Sequence, residues 1–271
     1  MAAEKLLTIS EFSRLSSIKR KNLIFYDEIG LFSPAHVGDN GYRYYTYRQL
    51  DTANLIWSLK EIGMPLAAIK DYTSRRTPEN MLRLFRAQKE KVEEEIAKLK
   101  EIKTMMEVYI ADTAQFKDVD TDAIDLREWE AAPIALGPVI DYSDGKSPVD
   151  ATAQFYDYAA AAGFVCSYPL GAVVAREDAE KGDHRPMRYY YRTPNGADAM
   201  PAGLYAEGYG RGDYGHTGEV YARLFAYLKA RDLVLCGDVY EEYLINEIST
   251  QEPEDYLFRV SMPVARRGEM K

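Results

Sequence analysis

Residues 7–31 read "LTISEFSRLSSIKRKNLIFYDEIGL", and how this stretch folds decides how the rest of the chain is read. Thr8 and Ser10 are candidate N-caps, and Glu11 stands three residues after Thr8, the spacing of a capping box. Ile9, Phe12 and Leu15 follow at helical spacing. "KRKNLIFYDEIGL" predicts a second short helix with Lys19, Arg20 and Lys21 at its start, closed near Gly30. Two short helices with a tight turn between them, the second basic at its N-terminus, make the pattern of a helix-turn-helix.

Working outward, residues 33–46, "SPAHVGDNGYRYYT", are rich in Pro, Gly, Asp and Asn and predict a loop or hairpin, a wing beside the helix pair. In it Tyr42, Tyr44 and Tyr45 surround Arg43. Flat rings with hydroxyl tips beside a rigid fork of donors can grip a phosphate backbone or form the polar end of a small core. Residues 47–73, "YRQLDTANLIWSLKEIGMPLAAIKDYT", predict two further amphipathic helices broken at Gly63–Pro65.

Residues 78–112 read as one long helix that starts at Pro78, a favourable first helical residue, and contains no Gly or further Pro. Leu82, Phe85, Val92, Ile96, Leu99, Met106 and Ile110 recur in steps of three and four, with Lys89 and Lys103 filling the two gaps. This is a coiled-coil seam flanked by charge. A helix of roughly 35 residues at ~1.5 Å rise spans about 50 Å, and it needs a partner helix. No second helix of comparable length is predicted, so a homodimer is favoured over packing within one chain.

The chain has 271 residues and a net charge of −9, unevenly spread: +3 over 1–77, zero over 78–117 and −12 over 118–271. One modestly basic end can bind nucleic acid while the acidic remainder stays off it and favours cationic small molecules. Uneven solvated faces are common, so charge alone decides little. No long apolar run or signal-peptide pattern is visible, which gives a cytoplasmic protein without a membrane partner as the expectation. Cys166 and Cys236 are far apart, and His36, His184 and His216 are scattered; no structural metal or cofactor is expected.

The last segment contains an echo. "FYDYAAAAGFVCSYPLGAVV" from Phe155 and "FAYLKARDLVLCGDVYEEYL" from Phe225 align at an offset of 70, matching Phe with Phe, Ala160 with Ala230 and Cys166 with Cys236. Each copy reads as an apolar strand, a gap, a helix and a strand. Two copies of a β-α-β unit imply an α+β domain with a pseudo-two-fold axis and a groove between the halves. The matched cysteines read as small buried hydrophobes.

On these residues the first 77 resemble the winged-helix DNA-binding domain of the MerR family of transcription regulators, most specifically in "GYRYY" and "LKEIGMPL". The long helix is similar to that family's antiparallel dimerisation coiled coil. The C-terminal part resembles a GyrI-like effector-binding domain, in the arrangement of the BmrR-like multidrug-sensing branch. The resemblance spans essentially the whole chain. It implies a fold of N-terminal winged helix-turn-helix (1–77), coiled-coil helix and linker (78–117) and duplicated β-α-β domain (118–271). It implies a dimer that binds promoter DNA and, with effector bound, distorts it so that RNA polymerase can read it, with a multidrug efflux or resistance gene under control. Tyr42 and Arg43 fall on wing positions that contact phosphates in the family, Tyr26 on the end of the recognition helix, and Lys60 on a hinge position facing the backbone. Ile24 and Phe25 stand where the family has arginine and tyrosine, and Lys19, Arg20 and Lys21 are candidates to compensate, since phosphate attraction depends mostly on nearby positive charge. Each wing tyrosine has core packing as its alternative, Tyr44 and Tyr45 more so than Tyr42.

At the effector end no cysteine lies between 104 and 165, against metal sensing. Fifteen of the 22 tyrosines lie after residue 117, and tyrosine-rich cavities receive large flat ligands with cations over ring faces. By the resemblance, Glu241 matches a buried counter-charge and Tyr256 an aromatic wall beside it, with Tyr168, Tyr209 and Tyr214 lining the pocket; Tyr189 and Tyr191 of "MRYYYRTP" join these candidates. An empty buried carboxylate is costly and poised for a cation; its alternative is an exposed strand-end glutamate, with Glu242 pointing the other way. GyrI-like relatives that resemble hydrolases give a second hypothesis, turnover of the ligand by a pocket glutamate and tyrosine. A constitutive DNA-binding dimer with a vestigial effector domain is the third. No catalytic residue is assigned.

Overall fold

The computed structural model describes residues 5–143, 145, 147–164 and 167–268, with the backbone alone at Val149. The chain packs as two units, residues 1–97 and 98–271. Unit 1 opens with a two-residue strand β1 (Leu7–Thr8), then helices α1 (Ile9–Ser16) and α2 (Arg20–Glu28). Thr8 is the N-cap, in the expected capping box: its Oγ1 accepts from the Glu11 amide at 3.3 Å and the Glu11 carboxylate accepts from the Thr8 amide at 2.8 Å. Both bonds satisfy amides that a helix start otherwise leaves orphaned. Thr8→Ala is expected to lower unit 1 stability by about 1 kcal/mol, read as a shift of its urea midpoint; an unshifted midpoint would show that water replaces the cap without loss.

Strands β2 (His36–Val37) and β3 (Arg43–Tyr45) form the wing in a small antiparallel sheet of order β1-β3-β2. Its tip closes where Gly38 donates to the Tyr42 carbonyl at 2.8 Å and Gly41 takes φ +77°, a left-handed angle that glycine adopts without a Cβ clash. Helices α3 (Gln49–Glu61) and α4 (Leu66–Ser74) follow, separated at Gly63–Pro65 as expected. Phe12, Leu23, Ile56 and Ile69 close the core with Tyr26 and Tyr45, each large apolar side chain contributing about 1.5–3 kcal/mol by leaving water. Leu15 departs from the expected apolar stripe: it is exposed, and Ser16, the last residue of α1, is buried in its place.

Helix α5 (Pro78–Phe116) is longer than the seam required, and its residues 98–116 belong to unit 2. Leu82, Phe85, Ile96, Leu99, Met106 and Ile110 are exposed along it, while Tyr109, Asp112 and Phe116 are buried. Lys89 and Lys103 bridge outward to Glu93 and Glu107 one turn on.

Unit 2 continues with β4 (Ile124–Trp129), β5 (Ala132–Leu136), α6 (Pro148–Ala161), β6 (Leu170–Val174), α7 (Arg176–Lys181), β7 (Arg188–Arg192) and β8 (Asp198–Met200). Then come β9 (Gly203–Arg211), α8 (Gly218–Ala230), β10 (Leu233–Leu235), β11 (Val239–Ile245), a 3-10 turn (Pro253–Asp255) and β12 (Leu257–Arg266). One antiparallel sheet runs β4-β9-β12-β11-β6-β7-β5-β8, with β10 on β12. From its centre, β11-β12-β9 on one side mirror β6-β7-β5 on the other, so each half is strand, helix, strand, strand. The central register pairs Glu241 with Ala172 and Glu242 with Gly171, a pattern the 70-residue offset maps onto itself. The echoed segments begin in α6 and α8, not in strands, because their buried residues, Phe155 with Ala159 and Leu224 with Leu228, recur every four positions. The expectation of buried cysteines fails at Cys236, which is exposed; Cys166 lies outside the described residues.

Helices α6 and α8 cover one face of the sheet. Helix α8 packs on Val174, Val239, Phe258, Val260 and Met262, and α6 on Ala135, Ala172, Tyr189 and Tyr191. The opposite face carries charge. Arg259, only 2 % exposed, pairs with Glu242 and, at 3.3 Å, with Glu207; Arg192 pairs with Glu242 at 2.8 Å and with Asp112 of α5. The Arg259 guanidinium lies 4.7 Å from the Trp129 ring centroid and 5.6 Å from that of Phe116.

Candidate functional site

In unit 1 the candidate nucleic-acid residues separate into three places. A concavity of about 390 Å³ between α2 and α3 brings together Lys19, Lys21, Tyr26 and Lys60 with Trp57, Asn22 and Glu61. The three lysines are exposed, whereas the Tyr26 ring is 3 % exposed and belongs to the core. Burial, with Glu61 beside it, pushes the Tyr26 phenol up, so it stays neutral. Arg20 is exposed on the same helix but does not line the concavity. The wing forms the third place. Tyr42 is 59 % exposed and free to reach a backbone, Tyr44 lies on His36 with centroids 6.1 Å apart, and Tyr45 is fully buried against Phe12 at 4.4 Å. Burial lifts the Tyr45 phenol to about 12. Arg43, expected as a phosphate contact, donates from Nε to Asp27 of α2 at 2.8 Å, so the wing is latched to the second helix. Alternation along β3 explains the split between inward and outward tyrosines.

In unit 2 the sheet face under the helices builds the second site. Across it run Val260 of β12, Glu241 of β11, Ala172 of β6 and Tyr189 of β7, a row in register. Glu241 thus sits at the seam between the α8 and α6 clusters, 4 % exposed. Thr217, preceding α8, donates its hydroxyl to Glu241 Oε1 at 3.0 Å, and the Tyr221 hydroxyl of α8 faces the same carboxylate. Burial lifts the Glu241 carboxyl to about 7, against the pull of these two hydroxyls. His184 stacks on Tyr221 with centroids 3.8 Å apart, and burial holds its imidazole below the usual histidine range. No cation lies against Glu241 among the described residues, whereas Glu242, on the other face, is matched by two arginines.

The other effector candidates assemble only in part. Tyr189 shares the row with Glu241, and its hydroxyl donates to the Pro148 carbonyl at the start of α6. Tyr191 and Tyr168 pack together under α6, and Tyr168 donates to the Glu101 carbonyl of α5 at 3.5 Å. Tyr214 packs tilted on Tyr243 with centroids 4.2 Å apart, approaches Tyr256 edge-on at 5.7 Å and donates to Glu247 at 2.7 Å. Tyr209 does not join them. It registers opposite Arg259, on the charged face, donates to Glu207 and packs on Phe116, because alternation along β9 turns it away from Glu241. Tyr243, Thr217, Tyr221 and His184 were missed. Two-residue periodicity from Glu241 points to Tyr243; nothing local in the sequence points to the other three.

Residues 7–76 match the family described as MerR HTH family regulatory protein. The multidrug-efflux transporter 2 regulator of Bacillus subtilis is 30% identical over 273 residues, 96% of this chain and 97% of the relative. The multidrug-efflux transporter 1 regulator of the same organism is 26% identical over 289 residues, 97% of this chain and 99% of that one. The transcriptional regulator BrlR of Pseudomonas aeruginosa is 46% identical over 65 residues, 24% of each chain. The chain belongs to the MerR family of transcription regulators.

Proposed function

We propose that the chain is a cytoplasmic, homodimeric transcription activator that senses lipophilic cations or aromatics and controls a multidrug efflux or resistance gene. Residues 1–77 bind promoter DNA, residues 78–117 pair with a second copy in an antiparallel coiled coil, and residues 118–271 hold the effector. RNA polymerase reads the promoter that the effector-bound dimer distorts. The exposed apolar seam of α5 supports the dimer, because a stripe of that length in water favours association.

Glu241 carries the effector reading. A carboxylate closed off at the seam between the α6 and α8 clusters, held by the Thr217 hydroxyl and flanked by tyrosines, gains more from an arriving cation than any exposed acid does. Since the carboxylate is covered, a ligand reaches it only when side chains at the α6–α8 seam give way. The same feature favours a second reading: a carboxyl titrating near neutrality beside Tyr221 is equipped for acid–base chemistry on a ligand. Sensing without turnover is the reading we adopt, since the relatives at full length are regulators.

Titration of the full-length protein with lipophilic cations and neutral aromatics, followed by intrinsic fluorescence, tests this. Cations are expected to bind and to weaken at least about tenfold in Glu241→Gln, the loss of roughly one charge interaction, with the ligand recovered intact by mass spectrometry. Indifference to Glu241 sinks the counter-charge; hydrolysed ligand moves unit 2 to the enzyme reading.

A further inference from the structure

The concavity between α2 and α3 contains one large apolar side chain that nothing in the core uses. Trp57 projects from α3 with its indole 42 % exposed, three residues before Lys60 on the same helix. Lys19 and Lys21 of the facing segment rim the same hollow. Among the described residues none of these three lysines forms an ion pair, and the Trp57 indole N–H has no hydrogen-bond partner. Glu61 is the carboxylate on the rim, so three positive charges face one negative. An indole left in water among unpaired ammonium groups needs an occupant that is anionic and apolar by turns. A nucleic-acid backbone is that: phosphates alternate with deoxyriboses, and the sugar presents C–H surface at the spacing of one residue. Free phosphate would satisfy the lysines and leave the indole bare.

We propose that Trp57 is the floor of a backbone seat for duplex DNA, its indole against a deoxyribose while Lys19, Lys21 and Lys60 hold the adjoining phosphates. The seat reads no base. It sets the register of α2 on the duplex and adds affinity that salt does not screen, because the buried surface is apolar whereas the lysine contribution is ionic. The inference rests on the DNA-binding reading above and deepens it. It also places Tyr26, with its buried ring at the edge of the hollow, as a support beneath the seat and not as a phosphate contact.

The test uses the full-length protein and a random-sequence duplex at low salt, since the operator is unidentified. Trp129 is packed against Arg259, so the readily quenched tryptophan emission is that of Trp57. Acrylamide quenching is expected to fall on adding duplex in the wild type and to stay unchanged in Trp57→Phe. Trp57→Ala is expected to weaken duplex binding about tenfold with the slope of log K against log salt unaltered. Lys60→Gln is expected to reduce that slope by about 1. A Trp57 that stays equally accessible in the complex overturns the seat, and so does an alanine variant that binds as tightly as the wild type. Shielding by inorganic phosphate alone would make the hollow a free-anion site and overturn the backbone assignment. If the wild type binds no duplex at any salt, the DNA-binding reading itself fails, which this set separates from failure of the seat.

Discussion

Arg259→Met is expected to lower the stability of unit 2 by about 3–5 kcal/mol, the cost of leaving buried carboxylates without their cation. Glu207 and Glu242 are both buried and both lean on this guanidinium, which is itself held between Trp129 and Phe116. Burial pushes the Glu242 carboxyl up, but Arg259 and Arg192 outweigh it and hold the group below the usual carboxylate range. A depressed folded pKa contributes stability that is present above the unfolded value and lost as pH falls below it. The Arg259 variant should therefore lose its largest increment at neutral pH and converge on the wild type in acid. Adding Glu242→Gln should restore part of the loss, since the pair then leaves together. Urea unfolding in a Trp57→Phe background, followed by Trp129 emission, checks both; a single-variant loss under about 1 kcal/mol would place this network with weak surface pairs.

Glu241→Gln is expected to do the reverse. Its folded pKa of about 7 lies above the unfolded value, so the favourable contribution of the neutral carboxyl is complete below the unfolded pKa and lost as pH rises to about 7. Above pH 7 the wild type holds an ionised group in an apolar seam, at a cost on the order of 3 kcal/mol. Glutamine carries no such cost. The variant should be more stable than the wild type by about that amount at pH 8, the gap closing towards pH 4.5, where both side chains are neutral. A variant less stable at pH 8 would show instead that the carboxylate anchors the Thr217–Tyr221 end of α8. Adjacent glutamates on one strand thus give opposite pH dependences, because alternation sends one to an apolar seam and the other to two arginines.

The helix-turn-helix, the wing, the break at Gly63–Pro65 and the long helix were legible because each rests on local rules: a capping box, turn residues, a glycine before proline, steps of three and four. The wing tyrosines were legible only as a group; which of them points inward depended on the strand starting at Arg43. The duplication is visible as an offset of 70, but the helices that open its two copies read as strands, since a short apolar run has no period long enough to separate strand from helix. Of the effector candidates, Tyr189 is legible only as one of the tyrosines of "MRYYYRTP", and Tyr209 leaves the pocket the resemblance implies because β9 sets it opposite Arg259, a register that the sequence does not show.

The sequence by itself determined what short-range chemistry dictates: where helices begin, where the chain turns, that one helix is too long and too one-sided to stand alone, and that the last segment repeats. Only the tertiary structure decided what each of the two adjacent glutamates meets: Glu241 registers with Ala172 and, beyond it, Tyr189 under the helices, whereas Glu242 registers with Gly171 and, beyond it, Tyr190 on the charged face. A Cβ at Gly171 would meet the buried Tyr190 ring at 2.3 Å, so no side chain fits there and that ring fills the space beside Glu242 on the charged face. That asymmetry arises from packing between strands far apart in sequence, and through-space contacts of that kind leave no trace in spacing or composition.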